Sequence, residues 1–314
     1  MAISKRIVLF AMVLLWGLAF EPARASEPLS VVATFSILGD MVRTVGGERV
    51  TVTTLVGPNG DSHVFRPTPR HAQAMAGAKL VFANGLGFEG WMERLAQASG
   101  FAGKTVHVSD GIEPLDAEGD HDHDHDHGPK KPDSGDHSVP DPHAWHDPAN
   151  GKIYAHNIAA ALIAADPAGQ AVYSQRRDAY IAEIEAVERE LAVSLSQLPA
   201  GRHRVVTSHD AFSYFAHAYG IEFLAPHGVS TESEASARDL AALIRQIRGE
   251  EVAAVFLENI ADPRLIEQIQ RETGARIGGT LYSGGLSDRQ GPAATYLAMM
   301  RHNIRTLMAA LSGK

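Results

Sequence analysis

The sequence contains no cysteine in 314 residues. That removes disulfides, thiolate zinc sites and cysteine nucleophiles. It also removes the thiol that a lipid-anchored precursor needs at its cleavage site. Basic residues are scarce: 28 lysines and arginines stand against 37 aspartates and glutamates, a formal charge of −9. Without a basic excess nothing displaces counterions from phosphate, so no nucleic-acid partner is expected. Beyond residue 25 no apolar run approaches the roughly 20 residues that a bilayer requires.

The first 25 residues hold the one long apolar run, Ile7 to Phe20. At about 14 residues it is short for a membrane anchor. Lys5 and Arg6 precede it and Ala23-Arg24-Ala25 follows, the pattern of a cleaved secretory signal. The mature chain is expected to start at Ser26. An exported chain without disulfides suits the bacterial periplasm, free rather than lipid-anchored.

What remains alternates strands and helices in two similar halves. The first runs from Leu29–Phe35 through Val50–Val56, "KLVFANG" and "KTVHVSDG", with helical patterns between. The second repeats the theme in "HRVVTSH", "IEFLAP", "VAAVFLEN" and "ARIGGTLY", ending in a helix from about Pro292. Such alternation implies an α/β fold: two pseudo-symmetric lobes of parallel sheet flanked by helices. Between the halves, Tyr173, Tyr180, Ile184, Val187, Leu191, Leu195 and Leu198 form one apolar stripe. It predicts one long rigid helix over 166–198, with Asp166 as its N-cap and Pro199 and Gly201 ending it. A coiled-coil seam is the alternative, and four heptads are near the lower limit for one. The expected division is therefore 1–25 signal, 26–165 first lobe, 166–198 linking helix and 199–314 second lobe.

Histidine is the conspicuous residue, with sixteen in the chain. Open parallel sheets bind ligands beyond the carboxyl ends of their strands. His63 and His209 each follow a predicted strand, in "LVGPNGDSH" and "RVVTSH", and His143 lies in "DPHAWHDP" between two Asp-Pro turns. All three can face one interlobe cleft. Asp61, Asp141, Asp147 and Asp210 stand near them; each is a candidate to orient an imidazole and equally an ordinary turn or cap residue. His71, His107, His156, His203, His217, His227 and His302 read as surface or helix-packing residues. His121, His123, His125 and His127 alternate with aspartate in a segment of about 116–139 with almost no apolar content. Such a segment cannot order itself by burial and is expected to collect several ions weakly.

"GDSHVFRPTP", "DPHAWHDP", "TSHDAFSYFAHAYGI" and "LYSGGLSDRQGPAATYLAMMRHN" resemble the signature segments of the periplasmic binding proteins of zinc and manganese ABC importers, in the right order over nearly all of the mature chain. The resemblance implies metal held between two lobes, with His63, His143 and His209 as ligands. Zn²⁺ as the transported ion fits three imidazoles better than Mn²⁺. It also implies an ABC membrane permease as partner, a periplasmic metallochaperone as a further one, and a monomeric binding protein rather than an enzyme. Relatives usually place an aspartate ligand where this chain has Gly284. Water, Asp288 and Glu258 remain as candidates for the fourth position. The rival functions are a zinc-dependent hydrolase, and a metal-dependent adhesin or passive zinc buffer. No HExxH helix is present to supply a general base for the hydrolase.

Overall fold

The computed structural model describes residues 27–117, 139–198, 203–232, 236–250 and 252–312. The expected signal, 1–25, and nearly all of the His-Asp run lie outside the described residues.

In the first lobe, β1 (Leu29–Phe35), β2 (Val50–Val56), β3 (Leu80–Ala83) and β4 (Lys104–His107) form a parallel sheet in the order β2-β1-β3-β4. Helices α1 (Ser36–Gly46), α2 (Pro69–Ala76) and α3 (Met92–Ser99) make the connections. The second lobe repeats the order as β6-β5-β7-β8, from β5 (Arg204–Val206), β6 (Glu222–Leu224), β7 (Ala254–Glu258) and β8 (Ile277–Leu281). Its helices are α6 (Ser213–Tyr219), α7 (Ala237–Gly249), α8 (Arg264–Thr273) and α9 (Tyr296–Leu311). Between the lobes run α4 (Pro148–Ala165) and α5 (Gln170–Leu195). The parallel sheets and the long connecting helix agree with the sequence reading of fold class.

The stripe on α5 is buried at Tyr173, Tyr180, Ile184, Val187 and Leu191, against α1, α4 and α9. Each such side chain contributes about 1.5–3 kcal/mol when taken from water. The stripe therefore packs within the chain, and α5 ties both lobes to one core. A smaller second cluster of Val206, Leu243, Ile247, Val255, Ile266 and Ile269 lies in the second lobe alone. Where α4 meets α9 the Tyr296 ring packs onto Gly151: a Cβ there would lie 2.6 Å from the Tyr296 hydroxyl.

Three local expectations are corrected. Asp166 does not cap the linking helix. Its carboxylate accepts from Arg49 Nε (2.8 Å) and Tyr173 Oη (2.8 Å), and a 3₁₀ turn at Pro167–Gly169 precedes α5. The last helix starts at Tyr296 rather than near Pro292, because Thr295 supplies the cap by accepting from Ala298 N. Asp210 does not cap α6 either. The helix begins at Ser213, whose hydroxyl donates to Asp210 Oδ1 (2.8 Å).

Candidate metal centre

Two of the three candidate ligands stand on the same local device. After β2 the chain turns through Asn59, in the left-handed region at φ 54°, and reaches Asp61-Ser62-His63. The His63 N–H donates to Asp61 Oδ1 (2.9 Å), and the Trp91 indole donates to Ser62 O (2.9 Å). In Asp141-Pro142-His143 the His143 N–H donates to Asp141 Oδ1 in the same way (2.8 Å). Here the same oxygen also lies 2.8 Å from His143 Nδ1. A carboxylate at Nδ1 holds the proton there and leaves Nε2 as the free donor.

His209 arrives differently. It lies three residues beyond the end of β5, and Glu258, the last residue of the neighbouring β7, stands behind it. Glu258 Oε1 accepts from Ser208 N (2.8 Å), Ser208 Oγ (2.6 Å) and His209 N (3.0 Å), while Oε2 lies 2.7 Å from His209 Nδ1. His209 Nε2 is buried without a hydrogen-bond partner among the described residues.

The three imidazoles converge. One ring nitrogen from each of His63, His143 and His209 lies within 4.8 Å of the other two. His63 Nε2 and His143 Nε2 are 3.3 Å apart. Two nitrogens each bound at about 2.0–2.1 Å to one tetrahedral Zn²⁺ lie about 3.3–3.4 Å from each other. The three residues are 8%, 0% and 1% exposed, so bulk water does not compete freely for their lone pairs. Phe88 walls His63 and His143 edge-on, and Trp145 packs beside His143.

The electrostatics separate the three. Burial, with His143 and His209 adding to it, pushes His63 down to about 2, so this ring is neutral and ready to ligate. Burial also works against protonating His209, but Glu258 outweighs it and raises His209 above its ordinary value. Burial pushes Glu258 up, and the contact with His209 overcomes that and brings it down to about 2. Asp141 follows the same pattern: burial raises it, and His143 draws it below the usual carboxylate range.

Of the other sequence candidates, Asp147 caps α4 by accepting from Ala149 N (2.8 Å), and Asp61 Oδ2 accepts from Thr231 Oγ1 across the lobes (2.6 Å). Asp288 is exposed, and Glu258 lies behind His209 with Oε2 2.7 Å from its Nδ1. Gly284 is buried, and a Cβ on it would meet Ile260 Cδ1 at 2.8 Å. Sequence reasoning left His146 without a role. It is buried, donates through Nε2 to Ser283 O (2.9 Å) and is pushed down to about 3 by burial. It also left out Asn84 and Glu89. Asn84 Nδ2 donates to Pro142 O (2.8 Å), and Glu89 Oε1 accepts from Asn84 N and Thr34 Oγ1 (both 2.7 Å). No local pattern around Asn84 or Glu89 signals a partner more than 50 residues away.

Two like lobes that close on a cluster of buried imidazoles define a metal-binding receptor of the solute-binding class. The chain belongs to the family described as zinc-uptake complex component A, periplasmic, whose profile matches residues 31–310. It is 31% identical to the iron-binding protein YfeA of Yersinia pestis over 287 residues, 91% of this chain and 88% of that one. It is 29% identical to the iron ABC transporter substrate-binding lipoprotein MtsA of Streptococcus pyogenes serotype M1, over 91% and 90% of the two chains. Its fold is similar to that of the periplasmic zinc-binding protein TroA of Treponema pallidum, with a TM-score of 0.81 at 29% identity, over 91% and 99% of the chains. The chain is thus the substrate-binding component of a metal ABC transporter, working outside the cytoplasm with a membrane permease, and not an enzyme.

Proposed function

We propose that the cargo is Zn²⁺, held by His63, His143 and His209 and delivered to the permease for uptake. The observation that carries this is the donor set: three buried imidazole nitrogens within 4.8 Å of one another and no carboxylate among them. Mn²⁺ sites draw on oxygen donors and Fe²⁺ binds a given nitrogen site more weakly than Zn²⁺, whereas neutral imidazole suits Zn²⁺ and the 3.3 Å nitrogen spacing suits its tetrahedron. Asp141 and Glu258 act behind the ligands, setting tautomer and direction. Water completes the coordination, since Gly284 has no side chain to offer and Ile260 occupies the adjoining space.

The same reading takes 26–165 and 199–314 as the lobes and 166–198 as the link. The protein acts as a free monomer in the periplasm. MtsA is named a lipoprotein, but this chain holds no cysteine to carry a lipid. The His-Asp run concentrates zinc weakly for the tight site, and a periplasmic metallochaperone is a second source.

The test is competition against a chelator of known affinity with Zn²⁺, Mn²⁺ and Fe²⁺ in parallel. Zinc is expected to bind one tight site, and manganese and iron at least 100-fold more weakly. Equal or tighter binding of Mn²⁺ or Fe²⁺ would remove zinc as the cargo. Deleting 119–136 should reduce total zinc stoichiometry and leave the tight site intact.

A further inference from the structure

Just before the His143 turn, two extended segments lie antiparallel. Asp116 pairs with Pro140, Ala117 N donates to Val139 O (2.8 Å), and Asp141 N donates to Leu115 O (2.8 Å). In a regular antiparallel pair, the residue that accepts at its C=O also donates its N–H back to the same partner. Leu115 and Asp141 make only one of those two bonds directly. The other is bridged by a side chain from the second lobe. Leu115 N–H donates to Tyr214 Oη (3.1 Å), and the Tyr214 hydroxyl donates to Asp141 O (3.0 Å). Tyr214 is 4% exposed and sits on α6, five residues after His209.

We propose that Tyr214 is a positioning residue for metal capture: its hydroxyl, inserted into the Leu115–Asp141 pair, sets the place of Asp141 and through it the direction of the His143 imidazole. Asp141 is the lever, because its Oδ1 holds both the His143 N–H and Nδ1 at 2.8 Å. The other side of the turn is already fixed by the first lobe, where Asn84 Nδ2 holds Pro142 O. Tyr214 adds the constraint from the second lobe. A ligand of the first lobe is thereby registered against the segment that carries His209. Without the hydroxyl, Leu115 N–H and Asp141 O lose their shared partner. The pair then closes directly, or water enters, and either change moves Asp141. Side chains behind a metal ligand typically alter affinity 10–100-fold when lost.

The inference rests on His143 being a ligand, so the experiment carries a variant for each claim. Tyr214→Phe, Asp141→Asn, the double variant, His143→Ala and Tyr173→Phe are titrated with zinc against a chelator. Each is also loaded with Co²⁺ to read the ligand-field spectrum. Tyr173→Phe removes a hydroxyl bonded to Asp166 and to none of the three histidines, and reports what loss of a tyrosine hydroxyl does to stability alone. Tyr214→Phe should weaken zinc about tenfold and shift the cobalt spectrum, while Tyr173→Phe changes neither. In the Asp141→Asn background, Tyr214→Phe should add less than about twofold, because the two act through one lever. Wild-type affinity and spectrum in Tyr214→Phe, or a full tenfold loss persisting in the Asp141→Asn background, overturns the proposal. If His143→Ala binds zinc like the wild type, the ligand assignment falls and this inference with it. If His143→Ala is crippled and Tyr214→Phe is not, only this inference falls.

Discussion

The two lobes share one strand order but build their metal-facing ends from different parts. In the first lobe each histidine rides on an Asp-x-His turn, and the carboxylate that fixes it lies two residues upstream. In the second lobe the histidine sits three residues beyond the end of β5, and its carboxylate, Glu258, comes from the next strand. The strands differ as well. β1 and β2 have seven residues each, whereas β5 and β6 have three. The first lobe thus holds its histidines by local chain geometry and the second by sheet pairing. The first arrangement should survive changes elsewhere, and the second should fail when the neighbouring strand is altered.

The largest effect expected is loss of the ligands themselves. His63→Ala, His143→Ala and His209→Ala should each weaken zinc at least 100-fold while circular dichroism stays native. Any one of them with wild-type affinity does not coordinate the ion. Next come the two carboxylates. Asp141→Asn and Glu258→Gln should cost roughly 10–100-fold. Glu258→Gln should cost more, because Oε1 also gathers Ser208 N, Ser208 Oγ and His209 N. Equal losses would remove the contrast between the lobes.

Acid should reveal the same contrast. The metal needs each Nε2 unprotonated. His63, pushed down to about 2, takes no proton in the neutral range. His209 is raised, so it competes for a proton from above pH 6.5 downward. A raised value means the ion-free form binds the proton earlier on acidification. Affinity should therefore fall as pH drops through that region, by up to tenfold per unit. Glu258→Gln removes the cause and should move the fall to lower pH. A zinc dissociation constant flat from pH 7.5 to 5.5 in the wild type would contradict histidine ligation.

How far all this was legible follows from where each signal lives. The α5 stripe and the strand-end histidines are written in spacing, and the helix and the loops can be read from it. Helix α4 was missed because apolar residues also lie off its buried face: Ile153, Ala160, Ile163 and Ala164 are half-buried or exposed, and they blur the stripe of Tyr154, Ala155, Ile158, Ala159 and Leu162. Asp166 looked like a cap because the rule is local. Arg49, 117 residues away, claims its carboxylate instead. Glu258 could be named as a candidate near the metal, but its place behind His209 depends on β5 pairing with β7. Tyr214, Asn84 and Glu89 act through contacts that no local pattern announces.

Gly284 sharpens the comparison from the second lobe. Its backbone would tolerate a side chain, but Ile260 Cδ1 would lie 2.8 Å from the new Cβ. Ile260 Cδ1 is the free end of a half-buried side chain and can turn aside, so Gly284→Asp alone should gain part of the zinc affinity a carboxylate can add. Gly284→Asp with Ile260→Ala should tighten it about tenfold, near 1.4 kcal/mol, by adding a carboxylate to three imidazoles. No gain in the double variant would mean that the fourth position faces elsewhere.

The smallest effect concerns the seam between the lobes. Asp40 on α1 accepts from Tyr296 N (2.9 Å) at the start of α9, a bond between residues 256 apart. Burial pushes Asp40 up to about 6, although the Tyr296 N–H and Arg43 both favour the charged form. Its value in the unfolded chain is near 3.8. The folded protein therefore holds a proton that the unfolded chain releases. That contribution to stability is complete below about 3.8 and is lost as pH rises through about 6. At pH 8 the charged, partly buried carboxylate is a cost. Asn at this position still accepts the Tyr296 N–H and carries no charge to bury. Asp40→Asn should raise stability at pH 8 by on the order of 1–2 kcal/mol, discounted for partial exposure, and by clearly less at pH 4.5, where only part of the loss has set in. Zinc affinity should be the same at both pH values relative to wild type, because the seam lies outside the metal's contacts. Urea unfolding of both proteins at the two pH values decides it. A stabilisation that is equal at both, or larger at the lower, would show that burial of charge at Asp40 is not the cause.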